Sequence, residues 1–206
     1  MTVPPQSSRS KGDPGTPPLH HHSVGRMLDE VGTLDRAIYD AVASTPTPAL
    51  DPLVTWLTDA ASYSRMCIAI TVALATAGGK RGRGAALRGL TAAGAASVAA
   101  NLVAKQLVPR ERPDRRHVVR GRRARMPGSS SFPSGHTASG SAFAAAVTAD
   151  FPRLAPFLYG LATLIGYSRI HTGVHYFSDV VGGGLLGLGI GSGIRKRFPS
   201  AVQVMA

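Results

Sequence analysis

Apolar residues recur at helical spacing from Arg26 to Ser44, at Met27, Leu28, Val31, Leu34, Ile38 and Val42. The intervening positions carry Asp29, Glu30, Asp35, Arg36 and Asp40. This pattern predicts an amphipathic helix lying on the protein or in a membrane interface rather than across it. Pro46 and Pro48 end it. A second segment, Leu50 to Tyr63, brings Leu53, Val54, Trp56 and Leu57, and its Trp and Tyr suit a bilayer interface.

Five apolar runs follow. Met66 to Gly78 reaches spanning length only by recruiting residues 60–65, since a crossing helix needs about 20 residues. Gly89 to Val108 is a clearer span, flanked by Arg88 and closed by Lys105. Thr137 to Ala149, Leu154 to Ile170 and Val180 to Ile194 complete the set. The joints are polar: Lys80-Arg81-Gly82-Arg83, Asp150-Phe151-Pro152-Arg153 and Arg195-Lys196-Arg197. No stretch alternates with strand period. The expected fold is all-α, an integral-membrane helical bundle with about five membrane-embedded helices preceded by amphipathic helices. Its expected divisions are a disordered tail at 1–25, interfacial helices at 26–63 and a membrane domain at 64–198.

A mean hydropathy of +0.06 is low for a membrane protein, so a soluble helical bundle is the competing reading. The make-up of the runs weighs against it. Small residues crowd them, as in Ala92-Ala93-Gly94-Ala95-Ala96 and at Gly182, Gly183, Gly184, Gly187, Gly189 and Gly191. Close helix approach in a bilayer uses such residues, whereas each glycine costs a soluble helix about 1 kcal/mol relative to Ala. The N-terminal stretch, rich in Pro, Ser and Gly, lacks the apolar surface to fold. Its His20-His21-His22 run has no acidic or cysteine partner nearby and reads as solvated tail. Cys67 is the only cysteine, which excludes an intramolecular disulfide and a cysteine metal cluster.

Net charge is +12, mostly from Arg, so the partners are anionic: nucleic acid, acidic headgroups or a phosphorylated substrate. Polar groups gather in three places. These are Lys105 with Arg112-Pro113, then Pro133-Ser134-Gly135-His136, then Ser168-Arg169 with His175 and Asp179. With alternating spans, all three fall on one side of the membrane and can meet. Lys105, Arg112 and Arg169 suit phosphate oxygens. Ser134 and Gly135 precede a helix whose N-terminus favours an anion. His175 and Asp179, four apart, allow the carboxylate to bond one ring nitrogen and leave the other as nucleophile. His136 can protonate the leaving oxygen and then activate water. Each residue alone has an ordinary reading, as a snorkelling cation, an N-cap or a packed histidine. Their joint occurrence, in order, argues for a site.

The ordered motifs Lys105-x6-Arg112-Pro113, Pro133-Ser134-Gly135-His136 and Ser168-Arg169-x5-His175-x3-Asp179 resemble the complete signature of the type 2 phosphatidic-acid phosphatases, also called lipid phosphate phosphatases. That resemblance implies His175 as nucleophile, Asp179 as its orienting group and His136 as general acid. It implies a phosphate held by Lys105, Arg112, Ser134, Gly135 and Arg169, and no metal or other cofactor. The expected activity is hydrolysis of a lipid phosphate through phosphohistidine. Polyprenyl phosphates or diphosphates, phosphatidate and phosphatidylglycerol phosphate are the substrate classes.

Two alternatives remain. Vanadium-dependent haloperoxidases have a similar pocket but are large and soluble. A basic adaptor could bind anionic lipid without turnover, which leaves His136, His175 and Asp179 unexplained. The arginines between Arg110 and Arg125 lack the interleaved aromatics of a nucleic-acid site and suggest attraction of headgroups at the mouth. The expected partners are therefore lipid phosphate and membrane lipids, not nucleic acid. His171 reads as a supporting residue behind the site or a rim residue rather than a catalyst. Cations near the span ends opposite the motifs favour a cell-membrane protein whose site faces outward.

Overall fold

The computed structural model describes residues 21–61, 65–116 and 118–199. Seven helices follow in order: α1 (His21–Ser44), α2 (Asp51–Ala60), α3 (Arg65–Ala77), α4 (Gly79–Leu107), α5 (Gly135–Val147), α6 (Ala155–His171) and α7 (Phe177–Arg197). There is no strand among the described residues, as the patterning required. Of the expected 1–25 tail, residues 1–20 lie outside the described residues and His21 to Gly25 open α1.

The corner between α3 and α4 is made by glycine. Gly79 has φ +57°, a backbone region that other residues resist, and a side chain on Gly78 would meet Leu74 O at 2.7 Å. Lys80 to Arg83, expected to be a joint, are therefore the first turn of α4. Their neighbourhood accommodates charge because Arg81 bonds the carbonyl of Asp150 and Arg88 the Asp150 carboxylate, which is buried. The span expected at Gly89–Val108 thus begins ten residues earlier.

Among the described residues two helices, Gly79–Leu107 and Phe177–Arg197, are long and apolar enough to cross a membrane. A third crossing would come from α2 and α3 taken together, bent by 69°. The expected count of about five is not reached on length and hydropathy. The reason is plainest in α5, which has 13 residues, nearly all buried among α4, α6 and α7. A helix enclosed on every side needs neither an amphipathic stripe nor lipid-facing length.

Packing around α5 depends on missing side chains. Gly183, Gly187 and Gly191 lie one turn apart on α7, and a Cβ on each would meet Ser134 O at 2.4 Å, Ala138 O at 2.2 Å and Ala142 O at 2.5 Å. The two backbones touch along this stripe. Ala92, Ala96 and Ala100 of α4 pack against Ala138, Ala142 and Ala146, and Leu186, Ile190 and Ile194 of α7 close the same cluster. This is the close approach that the small residues predicted.

The first helix is turned differently from expectation. Met27, Leu28, Val31 and Leu34 are exposed, while Asp35, Tyr39 and Ala43, spaced i, i+4, i+8, are buried against the body. Asp35 is only 1% exposed although it belongs to the helix's charged set. Its burial is possible because it accepts several hydrogen bonds, described below.

Candidate active site

Near its C-terminal end α4 departs from α pitch, and residues Ala99–Ala104 form a π turn. Such turns recur at functional sites because they re-aim the side chains that follow. Here Lys105 Nζ donates to Asn101 Oδ1 at 2.8 Å and to the Ser129 hydroxyl at 3.2 Å. The chain then runs through Arg112. Its Nε donates to Ser129 O at 2.9 Å, one Nη to Ser130 O at 3.1 Å and the other to Val174 O at 2.7 Å. The guanidinium therefore joins two loops before any ligand is considered.

At the start of α5, Ser134 occupies the N-cap position but does not cap with its side chain. Its hydroxyl accepts from Thr137 at 2.9 Å, and its N–H donates to Asp179 O at 2.9 Å. The first-turn N–H groups are left without intrahelical partners, and the helix dipole adds positive potential there. A side chain at Gly135 would meet Asn101 at 2.9 Å, so glycine is what lets α4 and α5 close together at this end.

His175 lies in the short loop between α6 and α7, and Asp179 in the first turn of α7. The ring nitrogen Nδ1 is 3.4 Å from Asp179 Oδ2, an electrostatic contact beyond hydrogen-bond range. The carboxylate itself is firmly held. It accepts from the Tyr176 N–H at 2.8 Å, from the Ser131 hydroxyl, and through Oδ1 from Arg110 at 2.7 Å. The other ring nitrogen, Nε2, faces Arg112 at 3.5 Å. Burial pushes the His175 imidazole down to about 4, helped by Arg112 and Arg169 and opposed by Asp179. At neutral pH the ring is uncharged and Nε2 keeps its lone pair.

Lys105, Arg112, Gly135, His136, Arg169 and His175 line one cavity of about 260 Å³. Six of the eight residues named from the sequence thus meet there, and Ser134 and Asp179 stand directly behind. What sequence reasoning missed is the support: Asn101 and Ser129 on the cavity wall, Ser131 and Arg110 on Asp179. Ser129 and Ser131 stood in a run of serines, SSS, next to the second motif, which was the available signal. Asn101 is one turn before Lys105, a spacing that could have flagged it.

The arginine-rich loop is mostly engaged with itself. Arg115 donates to Ala124 O, and Arg123 to Val118 O and Arg115 O. Arg122 is 1% exposed, with Nε 2.8 Å from Asp51 and a bond to Thr45 O. It ties the loop to α2 and does not attract headgroups. Arg116, Arg123 and Arg125 are exposed. His171 does not line the cavity. It is buried, 3.2 Å from the same Asp51, so its place is in the α2 latch and not at the rim.

Comparison with known proteins finds relatives of this chain. The chain is 43% identical over 53 residues to a lipid A 1-phosphatase of Rhizobium etli, covering 26% of this chain and 23% of that one. It is 33% identical over 99 residues to phosphatidylglycerophosphatase B of Bacillus subtilis, covering 43% and 46%. It therefore spans less than half the length of these curated relatives. The fold is similar to the crystal structure of a transmembrane PAP2-type phosphatidylglycerolphosphate phosphatase from Bacillus subtilis. There the TM-score is 0.64 and the identity 26%, over 82% of this chain and 86% of that one. Aquifex aeolicus LpxE shares the fold at TM-score 0.63 and 22% identity, over 79% and 95%. The PAP2 superfamily model matches residues 86–201, more than half of the sequence, a range that contains all three motifs. With the apolar spans and the motif geometry in agreement, the chain is a membrane protein that belongs to the PAP2 superfamily.

Proposed function

We propose that this protein hydrolyses a lipid phosphate through a phosphohistidine on His175. One observation carries the reading: three cations, Lys105, Arg112 and Arg169, converge with a helix N-terminus on the free nitrogen of a neutral, carboxylate-backed histidine. The cations and the first-turn N–H groups of α5 bind the phosphate oxygens, with Ser134 shaping the turn. His175 Nε2 attacks phosphorus in line, and the bond to the lipid oxygen breaks. His136 donates a proton to that oxygen. Asp179 holds the Nδ1 proton and balances the charge that the ring gains. Water, deprotonated by His136, then attacks phosphorus, the P–N bond breaks and inorganic phosphate leaves.

No metal enters this scheme, because the cations already supply the neutralisation that a divalent ion would. The substrate classes are polyprenyl phosphates or diphosphates and phospholipid phosphates, with the site facing outward from the cell membrane. The relatives' names point to lipid A and phosphatidylglycerol phosphate as further members of the test panel. The test is phosphate release by the purified protein in detergent with EDTA, scanned across that panel. Release from at least one lipid phosphate, inhibited by orthovanadate, supports the reading. Lipid binding without release from any of them would make the protein an adaptor.

A further inference from the structure

Helix α1 lies outside the matched residues and contributes nothing to the three motifs, yet one of its side chains is bonded to the site. Asp35 Oδ1 accepts from the Ser178 N–H at 2.8 Å. Its Oδ2 accepts from the Ser178 hydroxyl at 2.5 Å and from Arg110 Nη2 at 2.5 Å. Arg110 Nη1 in turn donates to Asp179 Oδ1 and to the Ser178 hydroxyl, both at 2.7 Å. The guanidinium lies 4.5 Å over the Tyr176 ring, and Tyr176 meets Tyr39 of α1 edge-on at 5.8 Å. Arg110 is thus one cation held between two carboxylates, one on α1 and one behind the candidate nucleophile.

We propose that Asp35 is a positioning residue for the His175–Asp179 pair, acting through Arg110 and the first turn of α7. The proposal rests on the reading of His175 as nucleophile. With Asp35 in place the Arg110 charge is shared, and Asp179 keeps negative charge for the proton on His175 Nδ1. Without it, Arg110 is answered by Asp179 alone. The carboxylate then turns toward the guanidinium and balances less of the charge that His175 acquires on phosphorylation. Asp35 also fixes the backbone at Ser178, one residue before Asp179. Buried networks of this kind act as units, so their members' effects do not add.

The test uses the full chain in detergent, with Asp35→Asn, Asp35→Glu, Arg110→Gln and the Asp35→Asn/Arg110→Gln double variant. Asp29→Asn, on the exposed face of the same helix, is the control. Asp35→Asn and Arg110→Gln should each lower kcat about tenfold while KM stays within about twofold, since neither side chain touches the phosphate. The double variant should be no slower than the worse single one, and Asp35→Glu should recover part of the loss. Losses that multiply, or a folded Asp35→Asn with wild-type kcat, would overturn the relay. A rise in KM at constant kcat would overturn it as well. If Asp35→Asn fails to fold, Arg110→Gln decides, because it leaves both Ser178 bonds to Asp35 intact; unchanged kcat there sinks the idea. Ring nitrogen shifts of His175, read by NMR on histidine-labelled protein, give a measure that needs no turnover. They should move in Arg110→Gln and in Asp35→Asn, and constancy in both refutes the proposal. Absence of phosphate release by the wild type would instead strike the phosphatase reading alone.

Discussion

Arg112 faces His175 at 3.5 Å, guanidinium to Nε2, while bonding the carbonyl of Val174, the residue just before that histidine. One side chain therefore both supplies charge for a phosphate and props the loop that carries the candidate nucleophile. Arg112→Lys keeps the charge and loses the fork that reaches Ser129, Ser130 and Val174. It should lower kcat as well as raise KM, with kcat/KM falling about 100-fold, since charge-assisted forked bonds are the strong ones. A change confined to KM would mean that the arginine serves binding alone.

The two histidines should fail in different ways. His175→Ala should abolish any phosphoenzyme. His136→Ala should lose about 10²–10⁴-fold in turnover, the usual worth of general acid–base help. With a nitrophenyl leaving group, which needs no proton, its first step should partly recover and acid-labile phosphohistidine should accumulate. Labelled phosphate on the His175→Ala protein would place the nucleophile elsewhere.

His175 should stay neutral far into acid. Burial and the facing arginines hold it down to about 4, so the lone pair is available above that pH and is lost as pH falls through it. NMR titration of the histidine ring should show its midpoint well below the ordinary 6.5. Asp179→Asn removes the group that opposes the depression and should move the midpoint lower still. A titration at the ordinary value would contradict the enclosed geometry.

The α5–α7 stripe gives a stability test with an internal control. Gly187→Ala forces a Cβ to 2.2 Å from Ala138 O, so helices must part, at a cost of about 1–3 kcal/mol. Gly189→Ala meets nothing within 4 Å and should be neutral or stabilising by up to about 1 kcal/mol. Thermal unfolding in detergent should separate the two clearly.

Arg122 and Arg125 should part in the same way within the loop. Arg122→Ala removes a buried partner of Asp51 and should cost about 3 kcal/mol of stability. Arg125→Ala, on an exposed side chain, should leave unfolding unchanged and raise KM only at low salt. An equal effect of both on unfolding would show that Arg122 holds no latch.

The candidate site was legible in the sequence because its residues sit in short motifs at the ends of apolar runs, and the fold brings those ends to one cavity. Asp35 was not legible. Its bonds to Ser178 cross 143 positions, and among six charged residues on one helix nothing local marks the one that turns inward. Sequence separation also hid Arg122, whose bond to Thr45 O crosses 77 positions. The start of α4 was misplaced for a different reason: Lys80 to Arg83 have the composition of a loop, and only the left-handed Gly79 reveals where the turn ends. Hydropathy likewise does not separate a lipid-facing helix from α5, which is buried among the other helices.

The π turn at Ala99–Ala104 makes the aim of Lys105 a matter of counting. Residues on an α-helix are about 100° apart around the axis, so one residue more or fewer swings everything beyond it by more than a quarter turn. Deleting one residue between Ala99 and Ala104 would leave the lysine's chemistry intact and point it away from Asn101 and the cavity. Compensating for that would take an insertion before Lys105, not a better cation. On the role proposed for Lys105, the length of this stretch is itself a functional trait, and a change that alters no side chain at the site would silence it.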